Sequence, residues 1–503
     1  MLSRDFAGNG LISKKEIESL ISAENNRRIA FLNRLKMLSD NYKDIFDQHM
    51  HTTFQAEDNY TDMKPYFDVS NNLMRRIIRE ISFVYADEPD REITSGGQKR
   101  YEEIVADMNF DHKLERANFL LNGLNDLIIQ VLVYDNGIST WIDLGLLTPD
   151  KVIVIKNPDN PTIPDAVMIE DSFTLPGDAS ADQMRKQWIF WSPTRHFLIN
   201  EKNEPVAIGD NEEMINPYFM QNIDQGMFYP FVFAHSSDRE SDFWDKTSGT
   251  DLYEATLIMA MHNSFINMMF PMQFKQIYVK KNVDDKGTTI KNKQLQAPLH
   301  IFESNAEMGT FDWQTNLTQL TEEIKSRAFS IANNYGMSAE NFKLTAQEQS
   351  GFSRMIAKEG LLETRRKQIK VWRGIEVELF KAIREANNFY QVGKPISDKA
   401  KFSIDYPEMQ FASDPVTELD VLERKMDMGL INRLDVIKQE NPDIKTDEEA
   451  LAALQKNVEI NRAIKKKFTL TLGQNNDGSP NSSSNVKPER NKPKGNGVGD
   501  DQV

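Results

Sequence analysis

The stretch NNYGMSAENFKLTAQEQSGFSR, residues 333–354, separates two long segments whose apolar residues recur at helical spacing. It is polar, carries glycine near both ends, and lacks the short turn that normally joins two packed helices. Upstream, Leu317, Leu320, Ile324, Ala328, Ile331 and Tyr335 line one helical face. Asn316 with Gln319 makes an amide version of a capping box at its start, and Gly336 is a C′ stop. Downstream, residues 352–389 read as one uninterrupted helix, about 57 Å long at 1.5 Å per residue. A chain that interrupts its two most regular helices with such a loop needs a reason for it.

Working outward, 503 residues suffice for a large core and suggest two to four domains. A hydrophobic content of 39%, with 29 Phe and 6 Trp, argues against global disorder. Cysteine is absent, which excludes disulfides and thiolate metal sites. The opening MLSRDFAGNG has no apolar core of a secretion signal. The most apolar long window, LIMAMHNSFINMMFPM (257–272), is broken by His262, Asn263, Ser264 and Asn267, too short and polar to span a bilayer. A soluble protein without membrane association is expected.

The net charge is −16, opposite in sign to the basic balance of a typical nucleic-acid binder, and its plainest meaning is solubility through self-repulsion. It is unevenly spread. Residues 238–254 hold Asp238, Glu240, Asp242, Asp245, Asp251 and Glu254 against Arg239 and Lys246. Residues 271–300 then hold Lys275, Lys280, Lys281, Lys286, Lys291 and Lys293 against Asp284 and Asp285.

The spacing predicts helices over 13–47, over 69–85 (ending before Pro89) and over 113–134. Between 138 and 234 the pattern changes to short β-branched and aromatic runs, KVIVIKN, AVMIEDSF, KQWIFWS and HFLIN, separated by Pro, Gly and Asn turns. A helix follows over about 248–269, ended by Pro271, and then a small lysine-rich β insert with a hairpin around DDKG. After the long helix come a strand in AKFSIDYPEMQF, a helix opened by Asp414 and Pro415, and a last helix, 447–466, boxed by Thr446 and Glu449. The fold class is α+β, mainly helical. Beyond 473 the composition is that of a disordered tail.

Catalytic motifs are missing: there is no phosphate loop, zinc helix or nucleophile elbow. SGGQKR (95–100) reads as a turn, and HMH (49–51) as a chance exposed pair in a loop. DFAGNGLISKKE (5–16) matches a calcium-loop frame at Asp5, Asn9, Gly10, Ile12 and Glu16. Ala7 offers no ligand oxygen there, and the chain before it is too short for an entering helix, so a helix lead-in is the better reading. The Met-rich face of 257–272 is most simply helix packing, and RAIKKKF (462–468) a solvated helix C-terminus. No metal or cofactor is expected.

The order of these parts resembles the tailed-bacteriophage portal protein family, most closely its SPP1-like branch. NLMRRIIREISFVYADEP is similar to the family's early helix and turn, and GMFYPFVFAHSSD to its approach to the stem. AFSIANNYGMSAENF followed by SGFSRMIAKEGLLETRRKQI resembles the passage from stem helix through tunnel loop to wing helix, and NPDIKTDEEALAALQKN the crown ending. The likeness covers roughly residues 30 to 465, strong in order and weak in identity, and the tunnel loop lacks the glycine run of some members.

The resemblance implies a non-enzymatic dodecameric ring with a central channel, built from wing, stem, clip and crown. The corresponding parts are a wing (1–237), a stem helix (238–270), a clip (271–315), a second stem helix (316–337), a tunnel loop (338–351), a long wing helix and strand (352–412) and a crown (413–472). Ser338, Glu340, Asn341, Lys343, Thr345, Gln347, Glu348, Gln349, Ser350 and Arg354 would then face duplex DNA, with Lys343 and Arg354 as phosphate contacts. Lys280, Lys281, Lys286, Lys291 and Lys293 would face clip partners. An acidic stem lining would keep DNA sliding freely, and the RRK run (365–367) would be available for subunit pairing or solvated. Implied partners are double-stranded DNA, the terminase motor, the major capsid protein and head–tail connector or adaptor proteins. The implied location is the virion's portal vertex, reached from the host cytoplasm during assembly.

Two further readings stay open: another phage head or connector component or helical scaffold, and a soluble carboxylate-based enzyme drawing on the 76 acidic residues. The last lacks any placed His–carboxylate or metal constellation.

Overall fold

A computed structural model describes residues 12–54, 57–173, 185–218, 230–273, 277–281, 307–311, 317–338, 351–408, 422–440, 444 and 446–473. They fall into two units, divided between residues 411 and 412. Helices and antiparallel strands are mixed in the first unit, an α+β arrangement.

The first unit opens with α1 (Lys14–Leu38), whose N-terminus is a reciprocal capping box. Glu16 N–H donates to Ser13 Oγ at 3.4 Å, and Ser13 N–H returns to Glu16 Oε2 at 2.9 Å. Glu16 therefore serves the helix lead-in, and Ile12 of the calcium-like frame is a buried core residue; Asp5, Asn9 and Gly10 lie outside the described residues. The helix predicted over 13–47 is interrupted. Asp40 adopts φ 63° and Asn41 N–H bonds back to Lys36 O at 2.8 Å, a left-handed stop, before α2 (Lys43–Thr53) resumes. HMH lies at the end of α2 and not in a loop. Two-residue spacing on a helix points its histidines to opposite sides.

Next come α3 (Glu57–Met63) and α4 (Leu73–Ile81). The second is shorter than the predicted 69–85 because Asn72 caps it, Oδ1 accepting from Arg75 N–H at 2.9 Å. Its Leu73, Ile77 and Ile81 are buried. Strand β1 (Asp90–Thr94), α5 (Gln98–Asp107) and α6 (Phe110–Leu124) follow, with SGGQKR forming the turn into α5. The sequence predicts helix through 134, but α6 ends at Asn125, whose φ is 67°. Asp126–Asp135 is instead strand β2. An apolar run such as LIIQVLVY suits either a buried helix or a strand. Here β3 (Thr140–Leu147) and β9 (Phe231–His235) pair with its two edges.

The four predicted runs KVIVIKN, AVMIEDSF, KQWIFWS and HFLIN form β4 (Val152–Lys156), β5 (Pro164–Phe173), β6 (Arg185–Trp191) and β7 (His196–Ile199), an antiparallel meander in sequence order to which a short β8 (Pro205–Val206), not predicted, adds. Ile153, Met168, Phe190, Phe197 and Ile199 from this sheet pack with Ile12 and Ile17. Arg27 of α1 fastens the join, donating to Pro149 O at 2.8 Å and Val152 O at 2.6 Å beneath Trp244.

Then α7 (Thr250–Gln273), β10 (Ile277–Lys281), β11 (Glu307–Phe311), α8 (Leu317–Asn334) and the 39-residue α9 (Gly351–Phe389) run in succession. Pro271 does not end α7, which continues to Gln273; near a C-terminus one missing N–H removes a single helical bond. Trp372, Ile375, Leu379 and Ile383 of α9 are buried in the main core, as its spacing predicts. Strand β12 (Lys401–Asp405) closes antiparallel on β1. The RRK run is split: Arg365 is 4% exposed and donates to Pro407 O at 3.1 Å, so it is neither solvated nor free for pairing, whereas Arg366 and Lys367 are exposed.

In the second unit, α10 (422–427), α11 (Arg433–Glu440) and α12 (Asp447–Gly473) are described. Thr446 and Glu449 box the start of α12, with both reciprocal bonds at 3.3 Å. Asn316, Asp414, Pro415, the DDKG turn and the tail after 473 lie outside the described residues.

Candidate functional site

The site is the paired-helix element made by α7 and α8, with the strands β10 and β11 between them in sequence. On α7, Thr256 and Ser264 fold their hydroxyls back onto Leu252 O (2.8 Å) and Ala260 O (2.7 Å), satisfying themselves within the helix. Thr256 Oγ1 and Ser264 Oγ in turn accept the N–H groups of Met74 (3.0 Å) and Asp68 (2.9 Å), which fixes α7 to α4 and to the segment before it. Buried Leu252, Leu257 and Ala260 supply the apolar contact. Between α7 and α8 runs a groove of about 390 Å³, floored by Ile258, Met259, Ile324 and Ile331 and rimmed by Glu254 and Arg327. His262 also lines it; burial lowers its pKa, Arg327 lowers it further, and Glu323 opposes.

The first turn of α7 is a dense node. Arg34 of α1 donates to Ser248 O at 2.9 Å, Lys246 O at 3.3 Å and Thr250 Oγ1 at 2.9 Å. Asp245 accepts from Thr247 N–H (2.9 Å) and Ser248 N–H (3.0 Å). Burial works against that carboxylate, but the bonds from Ser248 and Thr247 outweigh it and hold its pKa at about 2. Asp242 pairs with Lys156 and Lys246. Asp126, fully buried, takes His235 Nδ1 (2.7 Å), the Arg239 guanidinium and Asp245 N–H (2.8 Å). Three of the six acids of the 238–254 block, Asp242, Asp245 and Asp251, thus have partners within the chain.

The last turn of α8 meets this node. Tyr335 Oη donates to Asp251 Oδ1 at 3.0 Å, and burial beside that carboxylate raises the phenol's pKa. Gly336 follows with φ 74°, as its role as helix stop requires. Its backbone lies against Gly360 of α9: a methyl at Gly336 would sit 2.8 Å from Gly360 O, and one at Gly360 would sit 2.5 Å from Gly336 O. Met337 is buried.

Of the loop residues predicted to face DNA, Ser338 is half-buried, and its hydroxyl has no hydrogen-bond partner among the described residues. Arg354 falls in the first turn of α9, but its side chain is outside the description. Glu340, Asn341, Lys343, Thr345, Gln347, Glu348, Gln349 and Ser350 lie outside the described residues, as do Lys286, Lys291 and Lys293. Lys280 and Lys281 sit in β10, opposite Met308 and Glu307 of β11.

Sequence reasoning missed Tyr335–Asp251, Arg34 and Gly360. The one available signal was Gly360 itself, since a glycine inside a helix costs about 1 kcal/mol relative to alanine and calls for a packing reason. Among the described residues no group of three or more potential ligands is placed to hold a metal, and no helix is long and apolar enough to cross a membrane.

No protein-family model and no curated protein matches the chain. Solved structures similar to it include the neck of an empty GTA particle computed with C6 symmetry, at 10% identity and TM-score 0.40, covering 76% of this chain and 92% of that one. The neck of a native GTA particle computed with C12 symmetry is similar at 10% identity and TM-score 0.38, covering 76% and 89%. The virion of a native gene transfer agent particle is similar at 12% identity and TM-score 0.36, covering 76% and 92%. At such identities and scores, function has to be read from this chain's own residues.

Proposed function

We propose that this chain is a portal-type subunit, copies of which close into a dodecameric ring at one capsid vertex and conduct double-stranded DNA during packaging and ejection. One arrangement carries the reading. Two packed helices, α7 and α8, are bridged in sequence by the antiparallel pair β10–β11, and α8 is followed, after a stretch of polar sequence, by the 39-residue α9. The same order of stem, clip, stem, loop and wing is what the sequence resemblance implies. Within it, α7 and α8 would line the channel, residues 338–350 would touch the DNA backbone without reading bases, and the lysine-rich segment around β10 would meet the terminase motor and later the head–tail connector. The wing would contact the major capsid protein, and the chain would reside in the virion after assembly in the host cytoplasm. The proposed role involves no chemistry: the buried carboxylates are held by internal cations, Asp126 by His235 and Arg239 and Glu376 by Arg91.

The test is the purified chain in solution and under negative stain. A closed ring many times the 57.9 kDa protomer, with a central hole wide enough for duplex DNA, supports the reading. A stable monomer or dimer with no aperture overturns it.

A further inference from the structure

We infer that the Gly336–Gly360 crossing is a side-chain-free joint that fixes where α8 delivers the chain to α9, and that both glycines are positioning residues for DNA passage. The inference rests on the portal reading and goes beyond it by assigning the passage a mechanical element.

The two backbones approach so closely that neither position can carry a Cβ without movement. At Gly360 the atoms in the way are Gly336 O, C and Cα, all backbone, so no rotamer change gives relief. Opening the 2.5 Å approach to an ordinary 3.4 Å contact needs about 0.9 Å of displacement between α8 and α9. The joint is also held from outside the crossing. Tyr335 is bonded to Asp251 of α7, while within α9 itself Thr364 Oγ1 donates to Gly360 O at 3.0 Å, on the face that Gly336 meets. The end of α8 is therefore gripped by α7 on one side and α9 on the other. Nine residues of α9 precede Gly360, a lever of about 13 Å, so a shift of this size at the joint grows along α9 toward Gly351. Elsewhere on the same helix Gly374 has open space around it, which makes it an internal control.

The experiment uses particles whose only source of this subunit is the full-length chain carrying Gly360→Ala, Tyr335→Phe or Gly374→Ala. Ring formation is read by imaging and mass, motor binding by co-sedimentation, and DNA passage as nuclease-protected DNA per particle. Gly360→Ala should form rings that bind the motor normally and lower protected DNA at least tenfold. Tyr335→Phe, which loosens the joint from the α7 side and adds no atoms, should lower it about threefold, and Gly374→Ala should match wild type. Normal DNA content with Gly360→Ala overturns the inference. So does loss of rings with Gly360→Ala combined with wild-type behaviour of Tyr335→Phe, because the crossing would then be packing alone. Absence of rings or of protected DNA with the unaltered chain would instead sink the portal reading itself.

Discussion

Arg91 Nε donates to Glu376 Oε2 at 2.7 Å, joining β1 to the middle of α9 through a carboxylate that is fully buried. Tyr85 Oη (2.8 Å) and Tyr406 Oη (3.3 Å) complete its shell, and Arg91 also reaches Asp111. Burial pushes the Glu376 carboxyl above its usual range, with Arg91 as the chief opposing influence. Arg91→Leu removes that counterweight and leaves a buried acid without its cation, so it should destabilise the first unit by about 3–5 kcal/mol. Chemical denaturation measures this; a loss near zero would mean that the pair contributes nothing to seating α9.

His196 offers a pH test. Its ring stacks on Trp191 with centroids 3.5 Å apart, and its Nδ1 lies 3.2 Å from Phe190 O. Burial lowers its pKa from 6.5 to about 4, the Phe190 bond only partly opposing. The unfolded chain therefore binds a proton that the folded chain refuses between these values. Stability should fall as pH drops from 6.5 toward 4, by up to about 3 kcal/mol from this residue. His196→Phe keeps the stack and should flatten that slope, while costing about 1 kcal/mol at neutral pH for the lost hydrogen bond. Parallel denaturation midpoints for the two proteins across the range would refute the assignment.

Asp245 should show the opposite dependence. Its folded pKa, about 2, lies below the ordinary 3.8. The stabilisation is thus complete above 3.8 and is lost as pH falls through about 2. Asp245→Asn retains an acceptor for Thr247 and Ser248 but not the charge. Its melting temperature should lie below wild type at pH 6, with the gap closing as pH approaches 2. A gap independent of pH would assign the effect to geometry.

These residues also mark what could be read from the chain alone. α8, α9 and the stop at Gly336 were legible because their apolar residues recur over many turns and the glycine sits where a left-handed cap is needed. The α6–β2 boundary was not, because Asn125 carries no visible signal and the apolar run after it fits either structure. Arg365 looked like a surface charge by its neighbours, and only the fold brings Pro407 O to it. The node at the start of α7 joins residues far apart in sequence; Tyr335 and Asp251 are 84 positions apart. Pairings of that kind have no local signature, whereas the order of elements around them does.

The polar segment that follows Met337 gives the last prediction. The end of α8 is held by contacts that lie before it: Tyr335 to Asp251, Gly336 against Gly360, and the buried Met337. On the far side, α9 is anchored by Trp372 Nε1 donating to Asn118 Oδ1 at 2.8 Å and by the Arg91–Glu376 pair. Neither anchor uses residues 339–350, so shortening that stretch should leave the fold and ring formation intact. If it touches DNA, nuclease-protected DNA per particle should fall severalfold, with the amount of ring per particle unchanged. Rings lost on shortening, with normal DNA content in those that remain, would make the stretch a structural connector and would remove the proposed contact with DNA.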